Sequence, residues 1–77
     1  MEEGKREVMA NELEELKKEK TNLIIDYSLK KQVSLKRIIQ LEIIIADMEI
    51  SRGEHWKARI NLKSALKWIE KEGGSNA

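Results

Sequence analysis

The residues able to make or break bonds are few in this chain, and they do not converge. His55 is the single histidine and there is no cysteine. No pair of carboxylates stands at metal-ligand spacing from His55, whereas a zinc or nucleophile site needs several such groups meeting at one point. His55 is therefore read as a structural side chain at a helix turn. The carboxylates of Glu42, Asp47, Glu49 and Glu54 are scattered along polar strips, where they are expected to be solvated rather than paired as acid and base. The Gly73-Gly74 pair sits at the tail, and no glycine-rich loop precedes a helix in phosphate-cradling form. No catalytic residue, metal site or cofactor is expected.

What remains is the chemistry of association. Trp56 and Ile60 fall nearly opposite the ladder Ala58, Leu62, Ala65, Leu66 and Ile69, while Trp68 falls on a third side near Asn61 and Ser64. In a bare two-helix hairpin both tryptophans would be exposed, and tryptophan beside arginine is the composition of a protein-binding hot spot. Covering either ring takes a further packing layer. Arg59, Lys63 and Lys67 share one helix side with Trp56, which could also contact phosphates and stack a base. Lys30, Lys31, Lys36 and Arg37 form a second basic cluster.

The elements that carry these residues follow from punctuation and period. The chain has 77 residues, 38% of them charged, a net charge of +1 and no proline. Near-neutral charge makes no demand for a nucleic acid or a membrane surface. No apolar run approaches the roughly 20 residues of a membrane span, and Met1-Glu2-Glu3 does not resemble a secretory leader. A reducing, cytoplasmic setting suits a chain without cysteine.

From Lys5 to Arg52 there is neither glycine nor proline. One helix over that run would be about 70 Å long, too long for this chain to cover from both sides. Met9, Leu13, Leu16, Lys20, Leu23 and Tyr27 form a heptad seam with one lysine in it, the pattern of a self-associating coiled coil. The seam lapses after Tyr27. A break or a change of contact face is placed within Tyr27–Ser34, with Asp26, Ser28 and Ser34 as N-cap candidates; a continuous helix that swaps partners is the alternative.

Residues 35–51 are the most apolar. Ile38, Leu41, Ile44, Ile45 and Met48 form one face and Ile39, Ile43, Ala46 and Ile50 another, so this helix must touch two layers of neighbours. A strand reading of Ile39, Leu41, Ile43 and Ile45 ranks second, for want of a second strand to pair with. Gly53 marks a turn, and residues 54–72 form a third helix. Gly73 is expected in the left-handed conformation beyond its end, followed by a flexible tail.

Ile45-Ala46, Gly53, His55, Ala58, Leu62 and Ala65-Leu66 fall at spacings that resemble the tetratricopeptide repeat over residues 36–71. In that family small residues let two helices approach closely and bulky ones fill the gaps. The resemblance implies an antiparallel hairpin that binds other proteins and takes the N-terminal helix, or another chain, as its stacking neighbour. Here Glu42 and Glu49 stand where the family carries tryptophan and tyrosine, and Glu70 where its closing proline is usual. Three-helix adaptor domains of the microtubule-interacting and transport type contain a similar hairpin, with the extra helix after it rather than before.

The expectation is thus an all-α single domain. A coiled-coil-like N-terminal helix spans residues 5–33, and a repeat-like hairpin spans 35–51 and 54–72. It would act by non-enzymatic binding of another protein through Ile39, Ile43, Ile50, Trp56, Ile60 and Trp68. Self-association, as a dimer by preference, would run through Met9, Leu13, Leu16, Leu23 and Tyr27. The alternative is a small dimeric nucleic-acid binder that uses Arg59, Lys63 and Lys67.

Overall fold

The structure, a computed structural model, describes the backbone of residues 2–73 and the side chains of residues 11–73. It is all-α. Three helices follow in order, α1 (Glu2–Ser28), α2 (Leu35–Ser51) and α3 (His55–Glu72), with no strand among the described residues. Met9 of the expected seam and the tail from Gly74 onward lie outside the residues described to side-chain level.

The break expected between Tyr27 and Ser34 is real, and α1 ends at Ser28 rather than running on to residue 33. The Lys31 amide donates to the Asp26 carbonyl at 2.9 Å and the Lys30 amide to the Tyr27 carbonyl at 3.0 Å. This nested pair of bonds closes the helix as a Schellman motif, which needs a left-handed residue just past the end. Lys30 takes that role at φ 61°. Ser34 then opens α2, its hydroxyl accepting from the Arg37 amide at 3.2 Å.

The second turn repeats the device with the residue suited to it. The Glu54 amide donates to the Glu49 carbonyl and the Gly53 amide to the Ile50 carbonyl, with Gly53 at φ 80°. Gly73 departs from expectation: at φ −72° it ends α3 in a right-handed conformation, its amide bonded to the Ile69 carbonyl.

The three-residue turn makes α2 and α3 antiparallel neighbours, and their closest approach is set by small residues. Ala46, Ala58 and Ala65 are buried, together with Ile38, Leu41 and Ile45. Absent bulk at the three alanines lets the backbones come near. Each fully buried Leu or Ile contributes about 1.5–3 kcal/mol of hydrophobic stabilisation.

α1 returns over one side of this hairpin. Lys17 meets Glu49 and Lys20 meets Glu42, so α1 runs antiparallel to α2. Lys20 meets Asn61 and Tyr27 meets Trp68, so it runs parallel to α3. The heptad seam is consumed within the chain: Leu13 is buried, Leu16 and Leu23 are half-buried, and the Tyr27 ring stands edge-on to Trp68 at 5.3 Å. The surface expected to pair with a second copy is the one that docks α1 here. The physical reason is the break at Lys30, which lets α1 fold back onto its own hairpin.

Candidate interaction surfaces

Beneath α1 lies a polar layer that joins all three helices. Glu42 is 1% exposed and Glu49 is 2% exposed, so the expectation of solvated carboxylates at these two positions is corrected. Lys20 reaches across from α1, its Nζ donating to Glu42 Oε1 at 2.8 Å and to Asn61 Oδ1 at 3.0 Å. The Asn61 amide Nδ2 in turn donates to Glu49 Oε1, and Lys17 Nζ stands 3.9 Å from Glu49 Oε2. Buried charge persists when it is paired and hydrogen-bonded, and both lysines come from α1. The described residues offer no donor to the remaining oxygen of Glu42, Oε2. A lysine in an apolar seam was the signal for this layer: it called for an acid on the facing helix, and Glu42 (between Leu41 and Ile43) and Glu49 (between Met48 and Ile50) were acids with large apolar neighbours on both sides.

Of the four further ion pairs among the described residues, two are hydrogen-bonded. Arg37 holds Glu19 through two bonds, Nε to Oε2 at 2.7 Å and Nη2 to Oε1 at 3.0 Å. That fork lowers the Glu19 carboxyl below its ordinary value and raises the guanidinium, the hydrogen bonds being the main cause in both. Glu54 accepts from Lys57 at 2.8 Å. This bond holds its carboxyl low as well, with smaller contributions from the charges of Lys57, Arg52 and Lys17.

The side of the hairpin away from α1 is open and apolar. On α2, Ile43 and Ile50 are exposed and Ile39 is partly so. At about 100° per residue these three fall within a narrow arc. On α3, the ladder expected to face inward splits. Ala58 and Ala65 are buried, whereas Leu62, Leu66 and Ile69 are exposed, Leu66 by 61%. The reason is angular: Leu66 lies about 80° round from Ala58, beyond the line of closest approach and on the flank that α1 does not reach. Together the two helices present Ile39, Ile43, Ile50, Leu62, Leu66 and Ile69.

The six residues expected to bind a partner are thus distributed over three places. Ile39, Ile43 and Ile50 belong to the open hairpin face. Trp68 is partly buried against Tyr27. Trp56 and Ile60 stand on the far side of α3, exposed by 65% and 58%. Arg59, Lys63 and Lys67 are exposed and enter no ion pair among the described residues. The Lys57 ammonium lies 5.5 Å from the Trp56 ring centroid, within cation–π range.

His55 is exposed at the first residue of α3. Among the described residues no cluster of His, Asp and Glu could hold a metal ion, and no helix is long and apolar enough to cross a membrane.

No family model matches the chain, and neither a curated protein nor a solved structure matches it.

What the chain can bind is therefore read from its own surfaces. They offer an apolar face of branched side chains and a basic strip with one tryptophan; both are suited to binding.

Proposed function

We propose that the chain is a non-enzymatic protein-interaction module that works by helix–helix packing, as an adaptor, a small chaperone-like partner or a regulator that sequesters its target. The observation that carries this reading is the open hairpin face, where Ile43, Ile50, Leu62, Leu66 and Ile69 are each exposed by 41–61%. Scattered exposed leucines are ordinary on a protein surface, but a contiguous apolar patch on two adjacent helices marks a contact site. The close approach at Ala58 and Ala65 also supports the tetratricopeptide-like reading of the hairpin, with Glu42 and Glu49 joined to lysines of α1 in place of that family's aromatic residues. A reducing cytoplasmic setting fits the absence of cysteine.

The face can be tested with a small apolar dye in place of the partner. In dilute solution the folded chain should enhance the fluorescence of anilinonaphthalene sulfonate. Ile43→Gln with Leu66→Gln should abolish the enhancement without changing helical circular dichroism. Equal dye fluorescence in both proteins would overturn the assignment of this face.

A second reading is favoured by one specific observation, the exposed Trp56 ring beside the exposed Arg59, Lys63 and Lys67. These groups suit a single-stranded nucleic acid, with phosphates on the cations and a base on the indole. Such binding would weaken steeply as salt is raised, whereas binding at the apolar face would change little. Titration of a fluorescent oligonucleotide at two salt concentrations separates them.

A further inference from the structure

We propose that the open hairpin face takes a second copy of this chain, related to the first by a two-fold axis lying in the face. The proposal rests on the interaction reading above and names its partner. Its ground is the placement of charge at the rims of the apolar strip. On the outer edge of α2, next to Ile43, stand Lys36 and Asp47; on the outer edge of α3, next to Leu66, stand Arg59 and Glu70. Each pair is eleven residues apart, which returns the two side chains to nearly the same side of the helix, ~17 Å apart along it. All four are exposed, and among the described residues none enters an ion pair.

The two pairs share one centre. The midpoint of Lys36 and Asp47 falls between Leu41 and Glu42, and that of Arg59 and Glu70 falls between Ser64 and Ala65. Both midpoints are the same number of residues from Gly53, so across the antiparallel hairpin they lie level. Four of the six apolar residues are centred within about half a residue of these points, for Ile39 and Ile43 straddle the first midpoint and Leu62 and Leu66 the second.

A face with this layout is self-complementary. An axis perpendicular to the helices sets Lys36 against Asp47 of the second copy and Arg59 against Glu70 of the second copy, with Ile39 on Ile43 and Leu62 on Leu66. An axis along the helices sets Lys36 against Glu70 and Asp47 against Arg59, with Ile43 on Leu62 and Ile39 on Leu66. Either closes an isologous dimer in which each rim cation finds an acid. α2 is 17 residues long. At ~1.5 Å per residue, and two helices of ~10 Å width, the face covers about 500 Å². Burying it on both copies removes about 1,000 Å², the lower bound for a specific interface. The dimer is accordingly one that dissociates on dilution.

Sedimentation equilibrium of the full chain over a dilution series tests this. The mass should rise from the 9.0 kDa of one chain toward twice that value. Asp47→Lys places like charges across either axis and should weaken the dimer about threefold or more, with helical circular dichroism unchanged. Adding Lys36→Asp should restore the dimer if the axis is perpendicular to the helices; adding Arg59→Glu should restore it if the axis runs along them. A mass that ignores Asp47→Lys, or a loss that neither second change restores, would overturn the proposal. So would a monomer at every concentration. In that event dye binding at the face would leave the interaction reading intact with a different occupant, and an absence of dye binding would remove both.

Discussion

Lys20 is the side chain on which the three helices converge, since it bridges Glu42 of α2 and Asn61 of α3 from its place on α1. Removing it alone strands a carboxylate that is 1% exposed. Lys20→Met should therefore lower stability by about 3–5 kcal/mol, the usual result of breaking a buried pair from one side. Lys20→Met with Glu42→Leu replaces the pair by apolar groups and should recover most of that loss. Urea unfolding of the single and double variants measures both. Glu19 offers a milder case at the exposed edge. Its folded pKa lies below its unfolded one, so its contribution is present above the ordinary glutamate range and is lost as pH falls through the folded value. Arg37→Gln should flatten that part of an acid unfolding profile. At this scale the sequence was only partly legible. The lysine within the seam was visible, but Glu42 and Glu49 looked like surface acids, because which side of α2 is buried depends on where α1 lands.

Among the elements, the two turns use the same Schellman geometry with different residues in the left-handed position. Gly53 suits it and was readable as a turn. Lys30 does not, so the end of α1 had to be inferred from the lapse of the seam rather than from a breaker. Gly53→Ala should destabilise by about 1–2 kcal/mol through backbone strain alone, since an added Cβ would meet nothing within 4 Å. Thermal unfolding would show it. The docking of α1 depends on the Tyr27–Trp68 edge contact, and a partly buried aromatic pair of this kind is worth about 0.5–1.5 kcal/mol beyond its area. A double-mutant cycle with Tyr27→Leu and Trp68→Leu should return a coupling in that range. The heptad seam was legible as an apolar stripe, and in this fold it lies on the helix that docks on the hairpin; the same apolar spacing serves a second chain or the chain's own hairpin equally well.

For the molecule as a whole, α1 covers one side of the hairpin and leaves the other bare. Three helices can form a closed bundle when each faces both others. Here α1 reaches α3 through long side chains, Lys20 to Asn61 and Tyr27 to Trp68, and the flank carrying Leu62, Leu66 and Ile69 stays outside. The ladder on α3 hid this asymmetry, since its alanines and its leucines share a helical period while only the alanines are buried. Under the proposed reading folding belongs to the seam and association to the open face, and the two roles should separate under substitution. Leu23→Glu should reduce helicity and unfolding temperature, because Leu23 belongs to the seam of α1 and is half-buried. Leu66→Glu, at a position 61% exposed, should leave both within experimental error. The most direct measurement is the sedimentation mass of Leu66→Glu at a concentration where the unsubstituted chain self-associates. A folded species at the 9.0 kDa of a single chain is expected. A Leu66→Glu chain that associates as strongly as the original would contradict the division of roles between seam and face.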